Sequence, residues 1–109
     1  MDDNIEAIES GYEYLLAYAA QGRENDDGTE VRAILTAMSE AAVSIIDSLG
    51  DDNDEFSSVI VDDARKSGAA IALVLRQEKI SSELVDNLNA SIHLRALLTD
   101  LFLLSETSR

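Results

Sequence analysis

The stretch TEVRAILTAMSEAAVSIIDSL, residues 29–49, decides the fold. Val31, Leu35, Met38, Ala42, Ile45 and Leu49 recur in it at alternating spacings of four and three. That period lines one face of an α-helix, whereas a strand would need an apolar residue at every second position. Ile34, Ala41 and Ile46 widen the stripe to the breadth a core-facing helix uses. Upstream, Arg23-Glu24-Asn25-Asp26-Asp27-Gly28 reads as a polar turn, and Asp27 with Glu30 has the form of a capping box in which Thr29 is a competing cap. Downstream, Gly50 closes the helix, and Asp51-Asp52-Asn53-Asp54 supplies a turn that can cap the next one.

The same period continues outward in both directions. Residues 3–21 carry Ile5, Ile8, Tyr12, Leu15 and Ala19 on one side and Glu6, Glu9 and Glu13 on the other, with Gly22 available to close in a left-handed conformation. Residues 54–78 open with Phe56, Val59 and Ile60, turn polar at Asp62-Asp63 and Arg65-Lys66, and end apolar from Ala69 to Leu75. A fourth helix is expected from Ser81, with Ser81 as cap and Ile80 stapled on Val85, running through Leu84, Leu88 and Ile92 to Leu104. No proline interrupts any of these segments. Four helices, each about 20 residues and so about 30 Å long, joined by short turns predict an all-α antiparallel four-helix bundle. The expectation is one helical domain over residues 1–109; the alternative is a pair of helical hairpins that complete a core by dimerising.

The 109 residues are 46% hydrophobic, enough apolar material for one core and more than an acidic disordered chain carries. With no cysteine, a disulfide framework, a thiolate metal site and a thiol nucleophile are all excluded, and a reducing cytoplasmic setting is expected. Met1-Asp2-Asp3-Asn4 has neither a basic region nor an apolar run, so no secretory signal is expected. Arg95 and Asp100 interrupt the best membrane candidate, Ile92 to Leu104, which is also shorter than the roughly 20 residues a span needs.

Charge is the strongest functional signal. The formal net charge is -14, and in an up-down bundle the start of the first helix and the turn between the second and third fall at one end. Asp2, Asp3, Glu6, Asp51, Asp52, Asp54 and Glu55 would then form an anionic pole suited to steering a basic protein partner. The competing reading is helix capping plus solubility, because carboxylates at helix N-termini satisfy free amides. Lysine occurs only at positions 66 and 79 and Asp outnumbers Glu by twelve to ten, a composition that also fits a surface adapted to high salt. Direct nucleic-acid binding needs clustered cations and is disfavoured, whereas mimicry of nucleic acid is compatible with this charge.

Chemistry is otherwise sparse. His93 is the sole histidine, Ala90 stands where a Glu-x-x-His iron ligand pair would need glutamate, and Ala96 and Leu97 stand where a His-x-x-Lys-Gly phosphorelay pattern needs lysine and glycine. Asp51, Asn53, Glu55 and Asp62 match some positions of a calcium loop, but Phe56 replaces its glycine. No phosphate-binding glycine loop or Ser/His/Asp order occurs. Leu94, Leu97, Leu98, Leu101 and Phe102 surround so much of the last helix that a subunit interface is expected there. Tyr12, Tyr14 and Tyr18 give a further mixed patch. The reading is a non-enzymatic, cofactor-free acidic interaction module, homodimeric through its last helix, that inhibits or chaperones a basic protein. The alternative is an accessory subunit or small enzyme using carboxylates in a bundle cavity, recognisable by two acids buried together.

Overall fold

The computed structural model describes residues 1–107. It is all-α, with five helices: α1 Asp2–Ala19, α2 Val31–Leu49, α3 Glu55–Leu75, α4 Ser82–Ala90 and α5 His93–Thr107. They pack into a body of 43 × 23 × 21 Å, and none among the described residues is long and apolar enough to cross a membrane. The expected stripe of α2 is the centre of the core: Val31, Leu35, Met38, Ala42 and Ile45 are all buried. Ile8, Leu15 and Tyr18 of α1 and Ile60, Ala64, Ile71 and Val74 of α3 close over it from two sides.

The expected cap of α3 forms: Asp54 accepts from the amides of Phe56 at 3.0 Å and Ser57 at 3.4 Å. Ser81 likewise accepts from Leu84 N at 3.0 Å, with Ile80 and Val85 buried behind it. The capping box at α2 does not form. Glu30 is the N-cap residue and makes no side-chain cap bond, whereas the competing Thr29 Oγ1 accepts from Val31 N at 3.4 Å while donating to the Asp26 carbonyl at 2.8 Å.

The count of four helices is corrected, because the segment expected from Ser81 to Leu104 is broken in two at Ser91–Ile92. Ser91 Oγ donates to the Leu88 carbonyl at 2.6 Å as α4 ends, and Ile92 then takes φ +65°, a left-handed conformation. The Ile92 carbonyl accepts from Ala96 N at 2.8 Å, so this one residue both follows α4 and precedes α5. Left-handed backbone costs a non-glycine residue about 1–2 kcal/mol, most of all a β-branched one. The break re-aims the chain so that Leu94, Leu97, Leu98 and Leu101 enter the core against α3 and α1. The wide apolar girth of this region is thus covered within the chain, four residues of the expected dimer interface among it; of that set only Phe102 is exposed.

α1 and α2 approach closely at Gly11, where a Cβ would stand 2.5 Å from both Cγ and Sδ of the buried Met38. At the end of the molecule where α1 finishes, polar groups tie the loops together. Tyr18, which is in the core and not on a surface patch, donates from its hydroxyl to the Ile80 carbonyl at 2.6 Å. Ser82 Oγ donates to the Tyr18 carbonyl at 2.7 Å and accepts from Arg23 N at 2.8 Å. Asp26 accepts from Ile80 N at 2.9 Å with one oxygen and from Arg32 Nε at 2.7 Å with the other. Arg32 reaches on to the carbonyls of Leu75, Gln77 and Glu78, groups that the end of α3 leaves without intrahelical donors.

Two outcomes are expected from urea denaturation. Gly11→Ala, although it favours helix by about 1 kcal/mol, should overpack the contact and lower stability by about 1 kcal/mol net, and shortening Met38 to Val in the same chain should reverse the sign of that change. Tyr18→Phe should cost about 1–3 kcal/mol because it strands the buried Ile80 carbonyl.

Candidate functional site

Two groups of acids stand out, one exposed and one enclosed. The exposed group is the pole inferred from the charge pattern. Asn4 Nδ2 donates to Ser44 Oγ at 3.0 Å, which fixes the start of α1 beside the last turns of α2, and the turn of residues 50–54 follows from there. The end of α5 joins them: Asp54 and Phe56 share a depression with Leu103, Leu104 and Thr107, and Asp2, Glu6, Glu9 and Glu13 share a groove with Ser105. Asp2, Asp3, Glu6, Asp51, Asp52, Asp54 and Glu55 therefore sit at one end, all exposed. Among the described residues the salt bridges are Arg32–Asp26 and Lys66–Asp62, so no described cation is paired with any member of the pole.

The pole is not uniform. Asp54 is occupied as the cap of α3. Asp52 accepts from Asp54 N at 3.0 Å and from Ser57 Oγ at 2.9 Å, and these donors hold its carboxyl below the usual aspartate range, the backbone amide contributing most. Beside them the side chains of Phe102 and Leu103 are exposed, so the anionic end carries an apolar fringe.

The enclosed group escaped the reading of the sequence. Asp100 of α5 is only 9% exposed, its Oδ2 is buried with no hydrogen-bond partner, and the side chain in hydrogen-bond reach is another carboxyl, Asp63 of α3. Burial first, then Asp63, push Asp100 up to about 7. Two acids are thus brought together, the feature named above as the mark of carboxylate chemistry. They do not share a cavity: the depression over Asp100 is lined by Ile92, Arg95, Ala96 and Thr99, without Asp63. The signal was present as a lone aspartate inside the leucine run of residues 94–104. Among the described residues no group of three or more His, Cys, Asp or Glu is placed to hold a metal ion. His93 lies half-buried at the first position of α5.

No protein-family model, curated protein or solved structure matches the chain. The geometry itself defines a class: an all-helical protein with one uncompensated anionic end and the fringe of Phe102 and Leu103 beside it.

Because Asp52 is ionised more readily in the fold than in the unfolded chain, its bonds stabilise the fold above about pH 3.8 and are lost as pH falls through its depressed folded value. Asp52→Asn keeps a carbonyl oxygen for the Asp54 amide and places an amide that can donate to Ser57 Oγ, with no charge to lose, so its urea midpoint should drop less between pH 6 and pH 3 than that of the wild type.

Proposed function

We propose that this protein is a non-catalytic interaction module whose anionic pole receives a basic protein surface, in the manner of an inhibitor or a chaperone. The observation that carries this reading is the gathering of seven exposed carboxylates from two separated stretches of the chain at one end, with no ion-paired cation among the described residues. Capping explains Asp54 and part of Asp52; it does not explain Asp2, Asp3, Glu6, Asp51 and Glu55, for which no cap or ion pair with another described residue exists. Uncompensated like charges repel one another, and a cationic partner relieves that repulsion while the field speeds its approach. The exposed Phe102 and Leu103 beside the pole supply apolar contact for the same partner. Self-association belongs to the same proposal only through these two residues, since Leu94, Leu97, Leu98 and Leu101 are inside the chain.

The Asp63–Asp100 pair favours a second reading, acid–base chemistry at neutral pH. It is the weaker one, because a substrate needs room between the groups and the two carboxyls lie against each other across a helix interface.

The test is affinity capture with the wild type and with Asp51, Asp52 and Asp54 together changed to Asn, which removes three charges and keeps the capping oxygens. The captured protein should be basic, and its association rate with the wild type should fall as salt rises, since screening acts over about 8 Å at physiological ionic strength. The variant should associate at least severalfold more slowly and with a shallower salt slope. Equal rates and slopes for the two proteins would return the pole to capping and solubility.

A further inference from the structure

We propose that Asp63 and Asp100 share one proton and thereby latch α5 onto α3, and that losing this proton raises the fraction of chains in which α5 has come away and uncovered its leucine face. Oδ2 of Asp100 is an orphaned polar atom. It is buried without a hydrogen-bond partner, and the side chain that acts on Asp100 is the half-buried Asp63, a carboxyl that can only accept when ionised. Two such acceptors side by side repel one another unless something is shared between them. A metal ion would ask for several ligands, and no cluster of three exists among the described residues, whereas a proton needs only two oxygens. A shared proton turns a repulsive contact into a charge-assisted hydrogen bond, the arrangement that two neighbouring carboxylates adopt when both cannot ionise.

The mechanical part rests on different observations. Among the described residues, no side-chain hydrogen bond joins α5 to any other helix; those of Thr99 and Thr107 return to carbonyls of α5 itself. α4, by contrast, is pinned to α1 by Ser82 and Asn89. The connection to α5 is the single left-handed residue Ile92, a strained joint with an exposed side chain. What holds α5 is therefore apolar packing plus the acid pair.

The surrounding charges do not quench the pair. On α3, Lys66 is engaged with Asp62 at 3.0 Å, although it also feels Asp63. On α5, Arg95 lines the depression over Asp100 and forms no salt bridge with a described residue. α1 brings only acids toward the end of α5, and Asp63 is the one charge acting on Asp100 from the elements packed against it, α4 included. A carboxyl near 7 when latched and near 3.8 when released binds its proton more tightly in the closed state, so opening becomes more favourable from about pH 4 up to about pH 7 and levels off above.

The experiment is amide hydrogen exchange of the full chain between pH 5 and pH 8, corrected for intrinsic exchange rates, with Asp100→Asn as the variant. In the wild type the opening constant of α5 amides should rise at least tenfold over this range while those of α1 and α2 do not, and in Asp100→Asn, whose amide donates permanently to Asp63, it should stay flat. Equal pH dependence in the two proteins, or an equal slope in every helix, would overturn the latch. The wild type also carries its own measurement: the Asp100 side-chain carbonyl carbon should titrate near neutrality by NMR, and a midpoint below 5 would overturn the proposal whether or not the variant folds.

Discussion

The fold depends on one arginine. Arg32 joins a carboxylate, Asp26, to three carbonyls at the end of α3, and Asp26 in turn holds the Ile80 amide. These bonds fix the order in which helices can stack: the α1–α2 turn and the α3–α4 turn must lie side by side, so α1, α2 and α3 run up, down and up. Helix packing alone is tolerant of register and direction. A guanidinium whose donors meet four separate acceptors is more particular, because all four meet it only when these two turns stand side by side. Arg32 lowers the Asp26 carboxyl below its usual range, the Ile80 amide adding to it, so the clasp is weakened as pH falls through that depressed value.

That arrangement also decides where charge goes. Arg23, Arg32, Arg76 and Lys79 are all placed in or beside the two clasped turns. The opposite end receives the start of α1, the turn before α3 and the end of α5, and none of them offers a cation among residues 1–10, 47–58 and 100–107. The molecule is polar along its length in part for a structural reason, since Arg23 and Arg32 bond within the clasped turns, and the acids gather at the other end. Acids at that end are cheap to keep because water solvates them and two helix N-termini face them. A cationic surface arriving there meets a field that the fold has not itself neutralised.

What could be read from the sequence was local. The spacing from Val31 to Leu49 describes α2 to within two residues of its start, and Asp54 and Ser81 announced their caps by standing just ahead of an apolar run. Long-range pairings were hidden. Arg32 and the carbonyl of Glu78 lie 46 residues apart, and nothing in either neighbourhood marks the bond. The division of the last helix was hidden for another reason: its left-handed residue is isoleucine, where glycine or asparagine would have been the signal. That miss carried over to the leucines, because a straight helix through Ile92 would present Leu94, Leu97 and Leu101 beyond the reach of one core, whereas the bent one turns them inward. Of the anionic pole, the membership was legible and the participation of the end of α5 was not.

The chain's aspartates show that residue type does not set the direction of a pH response; the partner does. Asp26, Asp52 and Asp100 start from the same intrinsic acidity, near 3.8. The first two face donors, an arginine, backbone amides and a hydroxyl, so the fold prefers them ionised and gains from them as pH rises through the acid range. Asp100 faces apolar side chains and another acceptor, so the fold prefers it protonated and loses from it as pH rises toward 7. The opposing slopes belong to different contacts: Asp26 to the clasp, Asp52 to the turn before α3, and Asp100 to the packing of α5. Between mildly acidic and neutral pH it is therefore the contact of α5 that the proposal makes pH-sensitive. That helix is the one that carries the exposed Phe102 and Leu103, so on the proposed latch the protonation of Asp100 bears on the surface a partner would meet.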